Sequence, residues 1–287
     1  MKLLKFSIIS PSYNQGRFIR DCIESVRAQS GVEWEHLVMD DGSTDETLAV
    51  LKEYPHLQWT TGPNQGPTPV INQGFRRATG DWVMWLNTDD YLLPGALAKV
   101  ARFAEQHPEA DVIYGSFHEV DVQRRISKTF KMFPFDLRML IHYGCYVGSN
   151  ACYFRKRTTL DEGFLLDPNF RYVMDGEYFA RLGRAGKRFV YLPEVLACFR
   201  VHGSNLSLSH ASARSVDEWL AFYKRQAETA AIRRAYGFTW FREPINNNVA
   251  DAALWWFYRL KKIALKVRYR SYWGLAAGAL LARLVLD

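Results

Sequence analysis

The chain has 287 residues, enough for one large domain or two smaller ones with sizeable cores. Its composition is 48% hydrophobic and 15% aromatic, without low-complexity tracts or evident internal repeats, which argues against a disordered protein. The net charge of +7 is uneven, since residues 255–287 carry +6 and the preceding 254 residues only +1. The excess positive charge therefore acts at the carboxyl end.

Cysteine usage and the amino terminus both favour a cytosolic protein. The four cysteines are scattered, with neither CxxC nor Cys/His metal spacing, and we expect buried reduced thiols at Cys22, Cys145, Cys152 and Cys198. The apolar stretch at residues 3–10 is only one strand long and ends at Pro11 without a cleavage-type site, so we expect no signal peptide.

The first hundred residues alternate short apolar runs with amphipathic stretches. The apolar runs predict strands at residues 3–10, 34–40, 57–62 and 81–87. Helices are predicted at residues 17–29, from Ser43 onward, at 68–78 and from Pro94 to about 106. Ser43 and Glu46 match a capping box, and a proline suits a first helical turn. This alternation predicts a mostly parallel, doubly wound sheet.

Polar clusters follow all four predicted strands, at residues 12–14, 40–43, 63–66 and 87–90. Ligands of such sheets bind beyond the carboxyl ends of the strands, so we expect a single site there. From residue 111 the pattern changes to shorter strands near 111–117, 126–133, 150–155, 188–193 and 196–202, with helices near 136–142 and 175–184. We interpret this part as a mixed extension of the same sheet.

Asp89 and Asp90 stand side by side directly after the fourth predicted strand. Adjacent like charges repel unless a cation or hydrogen-bond donors hold them. Mg²⁺ and Mn²⁺ typically bind one or two carboxylates together with substrate phosphates. Capping of the next helix is the alternative, and it explains one aspartate better than two. The pair therefore predicts a metal and phosphate site.

Six collinear stretches cover roughly residues 4–208: SIISPSYNQGRFIRDCIESVRAQS, VMDDGSTDET, GPNQGPTPVINQGFRRATGDWVMWLNTDD, LLPGAL, YVMDGEYFARL and CFRVHGSNLS. Taken together, these stretches resemble the family 2 glycosyltransferases with the GT-A fold. The resemblance implies an α/β, Rossmann-like mixed and mostly parallel central sheet flanked by helices. Residues 1–110 would form the donor-binding half, 111–208 the acceptor-binding half of the same domain, and 209–287 a helical basic extension.

The resemblance also implies an activity. An inverting, metal-dependent glycosyltransferase would move a sugar from a nucleotide-sugar, with UDP favoured, to a glycan or lipid-linked acceptor in cell-surface polysaccharide or lipopolysaccharide biosynthesis. Two alternatives stay open. A nucleotidyltransferase on a similar sheet would need a phosphate loop that PSYNQGR supplies poorly, and a non-catalytic glycan- or nucleotide-binding scaffold is suggested only by Asn87.

By resemblance, the donor contacts come from the strand ends. Pro11, Tyr13 and Asn14 would line the nucleoside pocket, Asp40 and Asp41 would meet the base, residues from Asn72 to Arg76 would approach the ribose or diphosphate, and Asn87 and Asp89 would contact the sugar-diphosphate.

The expected divalent metal, Mn²⁺ or Mg²⁺, would be held by Asp89 and Asp90, with His202 as a further ligand or as a structural histidine. The family often has aspartate where this chain has Asn87, an amide that brings no charge, so a direct metal role at position 87 is in doubt. Arg200 would either neutralise phosphate or be a strand residue held in a salt bridge.

Inverting transfer needs a general base for the acceptor hydroxyl, and the resemblance implies Asp175 for this role. Its alternative role is a cap for the helix that begins there. Glu177 would support the acceptor site or pair with Arg181 at i+4. The segment YGCYVGSNACY offers acceptor contacts at Tyr146, Ser149 and Asn150, with packing as the alternative role.

The carboxyl-terminal extension shows apolar residues at helical spacing beside a basic stripe, namely Trp256, Leu260, Ile263 and Val267 beside Arg259, Lys262, Lys266 and Arg270. Such a helix suits the anionic surface of a membrane, so we expect a peripheral protein on the inner face of the cell membrane. The alternative is a helix packed on the main domain. The uncharged run at 272–282 is too short to span a bilayer, and no motif accompanies the charge to indicate nucleic acid.

Overall fold

The computed structural model describes residues 3–203, 205, 216–236 and 256–265. Its first hundred residues confirm the predicted alternation of strands and helices. The elements are β1 (Lys5–Ser12), α1 (Gly16–Arg27), β2 (Glu33–Asp40), α2 (Thr47–Lys52), β3 (Gln58–Thr61), α3 (Pro67–Arg77), β4 (Trp82–Trp85), β5 (Tyr91–Leu92) and α4 (Ala96–Gln106).

The next part contains β6 (Val112–Val120), β7 (Ile126–Phe130), α5 (Leu137–His142), β8 (Cys152–Arg155), α6 (Met174–Arg184), β9 (Phe189–Arg200) and α7 (Val216–Tyr236). A further short helix covers residues 256–265. The two strands predicted at 188–193 and 196–202 are one strand, β9, because a bulge opposite Gly115 absorbs Pro193, which cannot donate to a ladder. A side chain at position 115 would collide with Leu196, which explains the glycine.

All these strands belong to one sheet in the order β3-β2-β1-β4-β8-β6-β9-β5, with β7 beside β6. Neighbours among β3, β2, β1 and β4 are parallel, so their carboxyl ends meet at one edge, as predicted. Beyond β4 the sheet is mixed, since β8 runs antiparallel to β4 and β6 while β6 and β9 are parallel. The sheet continues without interruption across residue 110.

Both faces of the sheet are covered. Alternate side chains of β1 point to opposite faces, as strand geometry requires. Ile8 belongs to the core that contains residues of α1 and α4, whereas Ile9 belongs to the core that contains residues of α3 and α6. Helices on both faces of a sheet that is parallel at its centre are the doubly wound arrangement that the sequence predicted.

Two predicted helix starts were wrong. The helix after β2 begins at Thr47 rather than Ser43, because Asp45 accepts the backbone N–H of Thr47 at 3.0 Å while the Ser43 hydroxyl accepts a hydrogen bond from the loop after β1. Pro94 lies outside α4, whose N-cap is Gly95, with the two-residue strand β5 preceding them both.

The four cysteines are unpaired thiols, of which three are buried, as predicted, and Cys145 is exposed. In the described part of the chain, no helix has the length and apolar character needed to cross a bilayer.

Candidate active site

The loops after β1 and β2 are tied to each other by hydrogen bonds. Asn14, which has a positive φ of 53°, donates its backbone N–H to the Ser43 hydroxyl at 2.8 Å and accepts the Thr44 N–H on Oδ1 at 2.8 Å. Tyr13 at the tip of the loop is 48% exposed. The carbonyl of Pro11 accepts the Thr88 hydroxyl at 3.2 Å, which links the end of β1 to the loop after β4.

Asp40 and Asp41 are both buried and both organise loops. Asp40 accepts the hydroxyl of Thr61 at 2.6 Å, and Asp41 accepts the N–H groups of Gln65 and Gly66 at 2.7 and 2.8 Å, one on each oxygen. A carboxylate oxygen can accept more than one hydrogen bond, so Asp41 keeps acceptor capacity for a ligand.

A small open pocket of about 120 Å³ lies beside these aspartates, between the ends of β2 and β3 and the face of α3. Its wall includes Asp40, Asp41 and Arg77. The sequence pointed to Arg76, which is exposed on α3 but does not belong to the described lining. Arg77 is the basic group in the wall of this pocket, and the donor contact of Arg76 stays a prediction.

The predicted donor contact from Asn72 disagrees with the structure. Its amide is buried and donates to the carbonyl of Leu166 at 2.8 Å while accepting the N–H of the same residue at 2.9 Å. The side chain thus holds the 160s loop against α3, and we leave it out of the proposed site.

Asp89 and Asp90 occupy different environments although they are adjacent. Asp89 is partly exposed and its Oδ2 lies 2.9 Å from Nε2 of His202. Asp90 is fully buried. Its Oδ1 accepts the N–H of Arg200 at 2.9 Å, and its Oδ2 has no partner. Burial and the charge of Asp89 raise the pKa of Asp90 well above its usual value. The prediction that Asp90 binds the metal directly therefore conflicts with its burial beneath the site.

Arg200 follows the second of its two predicted alternatives. Its guanidinium is buried in a salt bridge with Asp21 at 2.5 Å, and its Nε donates to the carbonyl of Asp89 at 2.9 Å. It also lies over the ring of Phe18. These contacts hold the loop after β4 against α1, so Arg200 has a structural role in place of the predicted phosphate contact.

The ring of His202 packs against the ring of Phe18, with 4.8 Å between the ring centroids. Asn205, whose role no motif in the sequence indicates, accepts the backbone N–H of His202 at 2.5 Å and donates to Asp89 Oδ2 at 3.3 Å. Asn87, at the start of the same loop, is half-buried and its carbonyl accepts the N–H of Asp90 at 3.0 Å.

Asp89 and His202 can serve as ligands for a divalent cation. A carboxylate oxygen suits Mn²⁺, imidazole is a common metal ligand in proteins, and the hydrogen bond between the two side chains shows that they point at one another. No group of three His, Cys, Asp or Glu side chains converges on a metal position within the described residues. The remaining ligands would have to be water or substrate phosphate, as is usual for Mg²⁺ beside phosphates.

Asp175 lies in the first turn of α6, whose N-cap residue is Val173. The carboxylate is half-buried, and its Oδ1 accepts the adjacent N–H of Gly176 at 2.8 Å. Burial raises the pKa of Asp175, opposed by the Gly176 hydrogen bond and by the positive charge of Arg225. A carboxylate with a raised pKa is a stronger base, which suits it for proton abstraction.

Glu177 is fully buried and pairs with Arg181, as the i+4 alternative predicted. Its two oxygens accept from Arg181 at 2.8 and 3.0 Å, and Oε1 also accepts the hydroxyl of Tyr236 at 2.8 Å. This burial contradicts the predicted contact of Glu177 with an acceptor.

The predicted acceptor segment contains one packed residue and two that stay predictions. The Tyr146 hydroxyl accepts the N–H of Asp136 at 2.6 Å and its ring stacks on Phe133, so packing accounts for it. Ser149 is half-buried, and Asn150 is buried with no partner for its Nδ2. That unsatisfied amide is the feature of this segment that packing does not explain.

Comparison with known proteins shows the family of this chain. Residues 7–164, more than half of the chain, match the model of glycosyl transferase family 2. An uncharacterized glycosyltransferase of Nostoc sp. (strain PCC 7120) is 31% identical over 232 residues, which are 75% of this chain and 70% of that protein. A PGL/p-HBAD biosynthesis glycosyltransferase of Mycobacterium tuberculosis is 35% identical over 116 residues, 38% of this chain and 45% of that protein.

A further relative is the poly(ribitol-phosphate) β-N-acetylglucosaminyltransferase TarS of Staphylococcus aureus, 31% identical over 121 residues. That match covers 39% of this chain and 20% of TarS, so the chain spans less than half of the mycobacterial protein and only a fifth of TarS.

Solved structures show the same fold. The crystal structure of S. aureus TarS 1–349 with UDP has a TM-score of 0.61 at 19% identity, over 96% of this chain and 76% of that one. The mannosyltransferase PcManGT of Pyrobaculum calidifontis with GDP-Man and Mn²⁺ has a TM-score of 0.53 at 16% identity, over 99% and 86% of the two chains. The chain therefore belongs to glycosyl transferase family 2 and is a glycosyltransferase with the GT-A fold.

Proposed function

We propose that this enzyme is an inverting, metal-dependent transferase that moves a sugar from a UDP-sugar to a glycan or lipid-linked acceptor of a cell-surface polysaccharide. The observation that carries the proposal is the spatial order of polar groups along one edge of the sheet. The pocket lined by Asp40, Asp41 and Arg77 comes first, and the Asp89–His202 pair follows it. A nucleotide base, a diphosphate and a metal need acceptors, cations and metal ligands in such an order. The complex of TarS with UDP-GlcNAc supports UDP as the nucleotide.

In this mechanism Asp175 removes the proton of the acceptor hydroxyl as its oxygen attacks the anomeric carbon. The bond from that carbon to the diphosphate breaks at the same time, and the nucleoside diphosphate leaves with the electron pair. Asp89 and His202 would hold a divalent cation, which when bound stabilises the negative charge of the leaving diphosphate. The complex of PcManGT with Mn²⁺ supports manganese as that cation.

The experiment that tests this proposal is a panel of nucleotide-sugars incubated with the protein and Mn²⁺, with the released nucleotide measured. We expect release of UDP from at least one UDP-sugar and less release from GDP- and ADP-sugars. Release from a GDP-sugar alone would overturn the choice of UDP, and a lack of both release and UDP binding would favour a non-catalytic relative.

Replacing Arg77 by alanine should weaken UDP binding about tenfold, whereas Arg76→Ala should leave it unchanged. Arg77 lines the pocket, and a hydrogen bond to a charged group contributes about 1.5–3 kcal/mol. A loss of about 1.4 kcal/mol raises the dissociation constant tenfold. Titration calorimetry with UDP measures both variants, which remove the same group from neighbouring positions of α3. The reverse result would restore Arg76 as the donor contact.

We also propose that the helix at residues 256–265 brings the enzyme to an anionic membrane surface. One side of it packs on the domain, since Tyr258 is buried against Met139 and Lys261 pairs with Asp136. The other side exposes Trp256, Phe257 and Leu260, at 54%, 59% and 61%. Packing on the domain and contact with a membrane, the two alternatives predicted for this helix, are thus compatible. One side of the helix packs on the domain, and the other presents apolar residues beside basic ones. Val267, Lys266 and Arg270 lie outside the described residues.

Vesicle binding tests this surface. The protein should sediment with vesicles that contain phosphatidylglycerol and much less with neutral phosphatidylcholine vesicles, and added salt should weaken the binding. Leu260→Ala should reduce the partition about tenfold, because burying a leucine contributes about 2 kcal/mol. Leu3→Ala is the matched control, since Leu3 is also half-exposed, at 51%. Equal binding to both vesicle types, or equal loss in both variants, would contradict the proposal.

A further inference from the structure

The helix that carries Asp175 has no cap of its own. The N-cap residue of α6 is Val173, which has no side chain able to accept a hydrogen bond. The first N–H groups of a helix and of the turn that leads into it need acceptors when water is excluded. The sequence near residue 173 offers no serine, threonine or asparagine at the capping position.

Glu228 of α7, 55 residues further along the chain than Val173, supplies acceptors for the turn that leads into α6. Its carboxylate accepts the backbone N–H of Tyr172 at 2.8 Å, of Val173 at 3.1 Å and of Arg171 at 3.2 Å. Three consecutive backbone donors thus converge on one side chain. A negative charge at this end of a helix is also favoured by the helix dipole, and such charge-assisted bonds are stronger than neutral ones.

The same side of α7 continues the contact along α6. Ile232, one turn after Glu228, lies beside Gly176, where an added methyl group would sit 3.8 Å from its Cδ1. Tyr236, one further turn along, donates its hydroxyl to Glu177. Residues four apart lie on one face of a helix, so one face of α7 contacts first the segment 171–173 and then the first turn of α6.

From these contacts we propose that Glu228 is a positioning residue for glycosyl transfer, which sets the location of the Asp175 carboxylate by fixing the backbone immediately before it. This inference rests on the proposed role of Asp175 as the base. Asp175 is only two residues beyond Val173, and Oδ1 of its side chain is bonded to the next backbone N–H. A shift of the segment 171–173 is therefore transmitted directly to the carboxylate. The α7 helix lies outside the region matched by the family model.

The test uses the full chain with Glu228→Gln, which keeps the shape of the side chain but removes its charge and one acceptor oxygen. We expect UDP release from the UDP-sugar selected by the panel to fall about tenfold to a hundredfold, because a displacement of about 1 Å can cost that much. The dissociation constant for UDP should stay within twofold. Hydrogen exchange of the 171–173 amides should accelerate at least tenfold. Glu105→Gln, the same change at an exposed position of α4, should change none of these.

A double variant separates positioning from general destabilisation. In an Asp175→Asn background, Glu228→Gln should cause no further loss of UDP release, because a residue that acts through the base has nothing left to position. Additive losses, unchanged release by the single variant, or a parallel loss of UDP affinity would overturn the proposal. If Asp175→Asn itself kept full activity, the assignment of the base would be wrong, whereas an impaired Asp175→Asn with a fully active Glu228→Gln would refute the positioning role alone.

Discussion

Replacing Asp175 by asparagine should reduce the rate of sugar transfer by about 10²–10⁴-fold, the usual contribution of a general base. The amide cannot accept the acceptor's proton, yet it has the same shape and can still accept the Gly176 N–H through its oxygen. The affinity for UDP should therefore be unchanged, because the pocket that we propose for the nucleotide lies at the ends of β2 and β3. UDP release and UDP titration measure the two effects separately.

Asp161→Asn is the control for this prediction. It is the same chemical change at an exposed aspartate whose ion pair with Lys156 lies on the surface, so its rate should match that of the unmodified enzyme. If the Asp175→Asn variant kept full activity, another group would have to be the base, and Asp175 would have only a structural role in the first turn of α6.

The pH dependence of transfer follows from the same carboxyl group. Burial raises the pKa of Asp175 above the ordinary value of 3.8, and only the ionised form accepts a proton. As the pH falls through this raised pKa the base becomes protonated, so kcat/KM should decline on the acid side at a pH above 3.8. The part of this acid limb that comes from Asp175 should disappear in Asp175→Asn, which has no carboxyl group at position 175.

The edge of the sheet was predictable because each strand end carries its polar residues within a few positions. Asp40, Asp41 and Asp89 follow apolar runs of strand length, and parallel strands bring such ends together. The sequence could not distinguish Arg76 from Arg77, because adjacent positions of a helix differ by about 100° in direction and the exact start of α3 decides which one faces the pocket.

The roles of some other residues could not be decided from the sequence, because their partners are remote in it. Asn72 meets Leu166, and Arg200 meets Asp21, across 94 and 179 residues. A polar residue in a motif looks the same whether its partner is a ligand or a backbone group. Glu228 could not be identified for the same reason, because nothing in the sequence around it indicates its contact with the segment 171–173.

The second large effect is expected for Asp89. Asp89→Ala should lower transfer about a thousandfold or more, since a bound metal supplies several kcal/mol of stabilisation to developing charge and each 1.36 kcal/mol is a factor of ten. The neighbouring carboxylate cannot compensate, because Asp90 is fully buried and its Oδ1 accepts the N–H of Arg200. Asn87 cannot compensate either, because an amide brings no charge.

Removal of divalent metal with EDTA should impair the unmodified enzyme to a similar degree and cause no further loss in Asp89→Ala. The control is Asp81→Asn. Asp81 lies at the opposite end of β4 from Asp89, where it accepts the N–H of Lys5. This variant should keep the activity of the unmodified enzyme and its response to EDTA. Full activity of Asp89→Ala would refute the metal assignment. An Asp89→Ala variant that is impaired but still sensitive to EDTA would place the cation on other residues. The pairing of Asp89 with His202 leads us to expect neither result, since losing the carboxylate leaves the imidazole as the sole proposed protein ligand.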